Sequence, residues 1–281
     1  MKRILLPTDF SDNSIEAIKY TLMVFKDMEC TFFLLHTYTP PIYQTAHIYG
    51  SPGQLSLGDA IQEKSLTQIE KLKAQLENQY NNTNHIFNVH TAFNTLVSEV
   101  METVATEKID MIVMGTTGAT GAKEILFGSN AVHIIKKSNC PVLVVPPNFE
   151  YEAPKEILFP TDYEITYQKN QFDPLLALLK LHKSRINVLH VRTGYDLNND
   201  QTNHKKQLEN LLGNSCLFHE MKEDEIINAI NTFQLNTRIN LLVMVQNKHT
   251  FFERIFIAPV IKKIGLHITV PFMVIPQLQK K

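Results

Sequence analysis

One stretch near the start of the chain occurs twice. Ile4-Leu5-Leu6-Pro7-Thr8-Asp9-Phe10 returns as Ile157-Leu158-Phe159-Pro160-Thr161-Asp162-Tyr163, 153 positions later. Leu35-His36 returns as Leu189-His190 at an offset of 154. Pro141-Val142-Leu143-Val144-Val145-Pro146 returns as Pro271-Phe272-Met273-Val274-Ile275-Pro276 at an offset of 130. Matches that keep their order at the beginning, middle and end of two segments describe one duplicated unit, and a repeat has to be found before a fold is assigned. Two copies are too few for a solenoid. The expectation is two complete domains, 1–147 and 154–281, joined across Pro146, Pro147 and Pro154. The offset shrinks by 24 residues along the way, which a proline- and glycine-bearing loop at 40–58 and a longer second helix in the first copy absorb.

Within the first copy, short apolar runs alternate with helical stripes. Ile4 to Leu6 reads as a buried strand ending in Pro-Thr-Asp. Ser11, Asp12 and Asn13 are all good helix caps, with Glu16 at capping-box distance from Asn13. Ile15, Ile18, Leu22 and Phe25 then mark a helix face. Thr31 to His36 reads as a second strand, and a helix carrying Ile69, Leu72, Leu76 and Tyr80 runs up to Asn81-Asn82-Thr83-Asn84. His85 to Thr91 is a third strand, Leu96 to Val104 a helix, Ile109 to Met114 a fourth strand and Pro141 to Val145 a fifth. Continuous apolar strands separated by helices predict an α/β fold with a parallel sheet covered on both faces.

Composition sets limits on function. The formal net charge is −1, so there is no basic field for nucleic acid. The apolar run after Met1-Lys2-Arg3 is too short for a signal peptide or a membrane span, which predicts a cytoplasmic protein with no membrane partner. Cys30, Cys140 and Cys216 form no C-x-x-C pair and read as reduced thiols. His and Cys at metal-ligand spacing are absent, so no zinc site is expected.

The chemistry concentrates between Met114 and Asn130. An apolar strand runs into Gly115-Thr116-Thr117-Gly118, and Gly128-Ser129-Asn130 opens a helix carrying Ala131, Ile134 and Ile135. Glycine allows close backbone approach, and a helix start offers unpaired N–H groups and a dipole that favours anions. Ser129 stands where an N-cap would stand. The pattern reads as a phosphate cradle. It lacks the Lys that a P-loop places after its last glycine, and it lacks the G-x-G-x-x-G spacing of dinucleotide folds.

The spacing Gly115-x2-Gly118-x9-Gly128-Ser129 resembles the ATP-binding motif of the universal stress protein family, G-x2-G-x9-G-(S/T), at every fixed position. The Pro-Thr-Asp and Leu-Leu-His strand ends and the Pro-Val-Leu-Val-Val strand carry the resemblance over nearly the whole chain, as a tandem member. It implies two tandem Rossmann-like (adenine nucleotide alpha hydrolase-like) domains, each a five-stranded parallel sheet in the order 3-2-1-4-5 between helices. It also implies that the two domains pair with each other through their fifth strands, and it leaves a homodimer of full chains open. The implied ligand is ATP, alone or with Mg2+ or Mn2+ riding on its phosphates. Pro7, Thr8 and Asp9 would lie by the ribose, Thr37 by the adenine and Met114 beneath the base or sugar. Gly115, Gly118, Gly128, Ser129 and Asn130 would hold the phosphates, and Lys123 could meet the phosphate tail. His36 and His190, present in both copies, read as structural.

The second copy loses the pattern. Val245 stands for Gly115, Lys248 for Gly118, Ala258 for Gly128 and Pro259 for Ser129. A branched side chain crowds a cradle and Pro offers no N–H, so nucleotide is expected in the first copy alone. No nucleophile or general base stands out. The leading reading is a cytoplasmic ATP-binding stress-response protein acting as a sensor or regulator. The rivals are a slow ATPase or self-phosphorylating enzyme on the same site, and a partner-binding module that uses no nucleotide.

Overall fold

The computed structural model describes residues 1–38, 53–116, 128–192, 196–222, 226–246 and 269–277. The first half runs β1 (Lys2–Pro7), α1 (Asp12–Val24), β2 (Cys30–Thr37), α2 (Gly53–Tyr80), β3 (His85–Ala92), α3 (Leu96–Thr106), β4 (Met111–Gly115), α4 (Ser129–Lys137) and β5 (Val142–Val145). The second half runs β6 (Glu156–Pro160), α5 (Lys169–His182), β7 (Arg185–Arg192), α6 (Asn199–Leu212), β8 (Cys216–Lys222), α7 (Ile226–Asn236), β9 (Leu241–Val245) and β10 (Phe272–Ile275).

The strands form one ten-stranded sheet in the order β3-β2-β1-β4-β5-β10-β9-β6-β7-β8. Each half therefore has its strands in the order 3-2-1-4-5, and the fold is α/β with helices flanking a mostly parallel sheet. The exception is β5 against β10, which run antiparallel with Val144 opposite Phe272, Leu143 opposite Met273 and Val142 opposite Val274. The central strands are apolar without interruption because both faces are covered, and alternate residues enter different layers. Ile4, Leu6, Val113, Leu143, Phe159 and Met273 lie in one core layer, and Leu5, Ile112, Met114, Val144, Leu158 and Phe272 in the other. Both layers pass without a break from one half into the other.

Three expectations about element ends are corrected. Helix α1 is capped by Ser11, whose side chain accepts from the Ser14 N–H, so the Asn13–Glu16 capping box is not the one used. Asn13 turns into the core instead, and the Glu16 carboxylate accepts the Asn148 N–H at 3.0 Å. Helix α2 begins at Gly53, so the expected loop does not extend to residue 58; residues 39–52 lie outside the described residues. The extra length expected in the first half's second helix is present, with 28 residues in α2 against 14 in α6. The fourth strand starts at Met111 and runs through Gly115.

The junction between the halves is packed. Phe149 packs edge-on and Tyr151 at a tilt against Tyr20 of α1, with ring centroids 5.8 and 5.7 Å away, and the Tyr151 hydroxyl donates to the Met23 carbonyl. Burial raises the Tyr20 hydroxyl pKa well above its ordinary value.

Candidate functional site

The sheet changes winding direction between β1 and β4, which are neighbours although β2 and β3 come between them in sequence. In open α/β sheets ligands bind outside the carboxyl ends of the strands at such a switch point. Pro7, Thr8 and Asp9 close β1 there, Thr37 closes β2, and Met114 and Gly115 close β4.

The turn after β1 is held from several sides. The Thr8 N–H donates to the Leu35 carbonyl at 2.8 Å, continuing the sheet past Pro7. The Thr8 hydroxyl, buried, accepts the Phe10 N–H at 3.0 Å and bonds the Ser14 hydroxyl at 2.9 Å. Phe10 takes the left-handed conformation, φ 61°, an uncommon one for a bulky residue. Its ring lies 4.6 Å from that of His36. His36 Nδ1 sits 2.9 Å from the Thr8 carbonyl, which can only accept, so Nδ1 carries the proton.

The second half repeats this turn. Tyr163 has φ 56°, its N–H donates to the Thr161 hydroxyl at 3.1 Å, and His190 Nδ1 donates to the Thr161 carbonyl at 3.0 Å. The same histidine doing the same work in both halves is a turn brace. Asp9 projects from this turn, exposed, and its Oδ1 accepts from the Ser11 N–H at 3.1 Å and hydroxyl at 2.5 Å.

Gly115 has a packing reason to be glycine. A Cβ added there would lie 2.5 Å from Asn13 Oδ1. Asn13 occupies that space and donates through Nδ2 to the Val145 carbonyl at 3.1 Å, tying α1 to the end of β5. In the second half a buried Val245 stands at this position, and a similar tie runs from Gln171 Nε2 of α5 to the Pro276 carbonyl just past β10 at 3.1 Å.

Past Gly115, the Thr116 N–H donates to the Val145 carbonyl at 3.1 Å, and the Thr116 carbonyl accepts the Gly128 N–H at 2.7 Å. That bond draws the start of α4 against the end of β4. It also corrects the cap assignment. Gly128 is the N-cap, its carbonyl taking the Val132 N–H at 3.1 Å, and Ser129 is the first helical residue with no capping bond. The Gly128 N–H is spent on the stem. The anion-binding potential rests on the first turn that follows, whose N–H groups have no intrahelical acceptors. Ser129 and Asn130 are exposed there. Met114 is buried in the core layer shared with Ala131 and Ile134 of α4, and Thr37 is half-buried and paired with Ala92 of β3. Gly118 and Lys123 lie outside the described residues.

The sequence named Asn13 only as a cap candidate and Thr116 only as part of the glycine stretch, and neither role here was read from it. Thr116 is 3% exposed, and its hydroxyl has no hydrogen-bond partner among the described residues. Among the described residues no group of three or more His, Cys, Asp or Glu side chains could hold a metal, and no helix is long and apolar enough to cross a membrane.

At the equivalent end of the second half, side chains close over the turn. Gln201 Nε2 donates to the Asp162 carbonyl at 3.0 Å and to the Glu164 carboxylate at 2.9 Å, and His204 Nδ1 donates to the Tyr163 carbonyl at 2.7 Å.

The sequence and the fold both have relatives. Residues 1–146 match the model of the universal stress protein family. Two proteins of Methanocaldococcus jannaschii are each similar to about half of the chain. Universal stress protein MJ0531 is 32% identical over 149 residues, covering 51% of this chain and 81% of its own. Universal stress protein MJ0577 is 33% identical over 157 residues, covering 51% of this chain and 94% of its own. The crystal structure of a universal stress protein from Archaeoglobus fulgidus superposes over 98% of both chains with a TM-score of 0.71 at 19% identity, a likeness of fold across both halves. With the motif-bearing half matched by the family model and the whole architecture shared, the chain belongs to the universal stress protein family.

Proposed function

We propose that the first half binds ATP across the β1–β4 switch point, and that the chain acts as a cytoplasmic, nucleotide-dependent regulator or sensor in the stress response. The observation that carries this reading is the bond from the Gly128 N–H to the Thr116 carbonyl. It sets the exposed first turn of α4 beside the end of β4, one strand from Asp9. In this reading the N–H groups of Ser129 and Asn130 and the Ser129 hydroxyl receive phosphate oxygens. Asp9 accepts from the ribose hydroxyls, Thr37 lies by the base, and Pro7 and Thr8 fix the turn. Gly115 keeps the floor of the site low and Gly118 lets backbone approach the phosphates. Bound ATP brings a concentrated negative charge, with Mg2+ or Mn2+ held chiefly by its own phosphates.

The domains in this reading are residues 1–147, which carry the motif, and 154–281, which do not. The second serves as a built-in partner, with β10 covering the edge of β5 that a single-domain protein would leave open.

Mass spectrometry of the purified chain and calorimetric titration with ATP test the site. ATP is expected to bind, and Gly118→Val is expected to weaken binding at least tenfold with the urea midpoint unchanged. Unaltered affinity in Gly118→Val would remove the cradle assignment.

A further inference from the structure

Tyr38 and Phe93 stand together at the carboxyl ends of β2 and β3. Tyr38 follows β2, and its N–H donates to the Ala92 carbonyl at 3.0 Å, so the two strands stay joined past their ends. The rings lie 6.1 Å apart, tilted 44°, and Phe93 is 52% exposed. The turn that carries Phe93 is fixed. Asn94 Nδ2 donates to the Glu99 carboxylate at 3.0 Å, Asn94 Oδ1 accepts the Thr95 N–H at 2.8 Å, and His90 Nε2 holds the other Glu99 oxygen at 2.6 Å. Glu99 is itself buried, so the brace is anchored in the protein.

The second half provides an internal control. Leu35 faces His90 in the β2–β3 register, and Leu189 faces His219 in the β7–β8 register. Carried forward along each strand, Tyr38 corresponds to Arg192 and Phe93 to Lys222. The half that carries the glycine motif has two aromatic rings at this place. The half that lost the motif has two cations.

Neighbouring strands lie about 4.8 Å apart, which puts the ring pair roughly 12 Å across the sheet from β4. The β1 turn with Asp9 lies in between. From these positions we infer that Tyr38 and Phe93 form a shelf on which the planar base of the nucleotide packs, so that the first half selects a nucleoside phosphate over a bare polyphosphate. This rests on the ATP reading of the same site. Base and aromatic ring stack face to face or offset, and truncating such a ring to Ala costs a factor of roughly five to 150 in affinity. A ring carried on a turn that is already fixed leaves less backbone to order when the base arrives.

Titration of the full chain with ATP and, separately, with inorganic tripolyphosphate tests the shelf. Wild type is expected to bind ATP at least fivefold more tightly than tripolyphosphate. Phe93→Ala and Tyr38→Ala should each lower ATP affinity fivefold or more, leave tripolyphosphate affinity within twofold, and keep the urea midpoint. Phe93→Tyr should restore ATP binding. The chain contains no Trp, so Phe93→Trp installs a single indole whose fluorescence ATP should quench and tripolyphosphate should not. Equal loss of both ligands, or no loss of ATP in either Ala variant, would overturn the shelf. Wild type binding the two ligands equally would overturn the shelf and leave the cradle standing. Binding of neither would overturn the ATP reading and the shelf with it.

Discussion

Asn13 occupies the place that a side chain on residue 115 would need. Its Oδ1 would lie 2.5 Å from a Cβ on Gly115, while its Nδ2 holds the Val145 carbonyl at 3.1 Å. The first glycine of the motif therefore has a cause within the packing of α1 against β4. Gly115→Ala is expected to destabilise the chain by about 1–3 kcal/mol, the usual range for overpacking. Urea unfolding of Gly115→Ala, Asn13→Ala and the double variant measures the coupling. The double variant should cost less than the sum of the singles. Additive losses would show that something other than Asn13 requires glycine there.

Nucleotide stoichiometry should be one per chain. Val245, buried, stands where the first half has Gly115, and Gln201 and His204 donate to carbonyls of the turn after β6. Calorimetry with ATP should give a single site. Two equivalent sites would contradict this account of the second half.

Residues 1–147 expressed alone should self-associate or aggregate. Without β10, the Val142–Val145 strand becomes a bare apolar edge, and both core layers are cut where they cross from one half to the other. Light scattering at high concentration reads the outcome. A soluble, folded monomer would mean that the halves are independent.

Stability should decline as pH falls below about 6.5. Burial lowers the pKa of His85, His182 and His219 beneath their ordinary value of 6.5, with Arg185 adding to the effect at His219. A base with a depressed folded pKa stays neutral in the fold while the unfolded chain takes up protons. Its stabilising contribution is therefore present above pH 6.5 and lost as pH falls toward the folded value. His182 packs by the Val24 carbonyl, with Asp27 and Lys26 opposing each other nearby. Urea midpoints at pH 7.5 and 5.5 should differ for wild type and differ less for His182→Gln. An equal pH response in both would remove His182 from the set.

Much of the fold could be read in advance because duplication and periodicity are local properties. Ile4 to Leu6, Thr31 to His36 and Pro141 to Val145 announce buried strands by composition alone. What could not be read depended on contacts between distant residues. Ser11 and Asn13 are equally good caps on paper, and the Val145 carbonyl, 132 positions away, decides between them by claiming Asn13. Ser129 resembles a cap until the Thr116 carbonyl takes the Gly128 N–H and moves the helix start by one residue. The glycines of the motif were legible as a pattern, yet the reason for Gly115 needed its neighbour on α1. Tyr38 and Phe93 gave no signal at all, being 55 positions apart in a chain where single aromatic residues are common.

The antiparallel seam between β5 and β10 gives the molecule two opposite poles. The Asp9 end of the first half and the Asp162 end of the second lie at opposite ends of the seam, because the strands of the two halves run in opposite directions. Anything seated at one pole is out of reach of the other. Changes at the second pole, such as Val245, Arg192 and Lys222, could accumulate without disturbing the first, provided that the seam itself was kept. The duplicated chain is in this sense a dimer free to become asymmetric: one pole retains the glycine motif, and the other is released from that requirement while the shared sheet holds both in place.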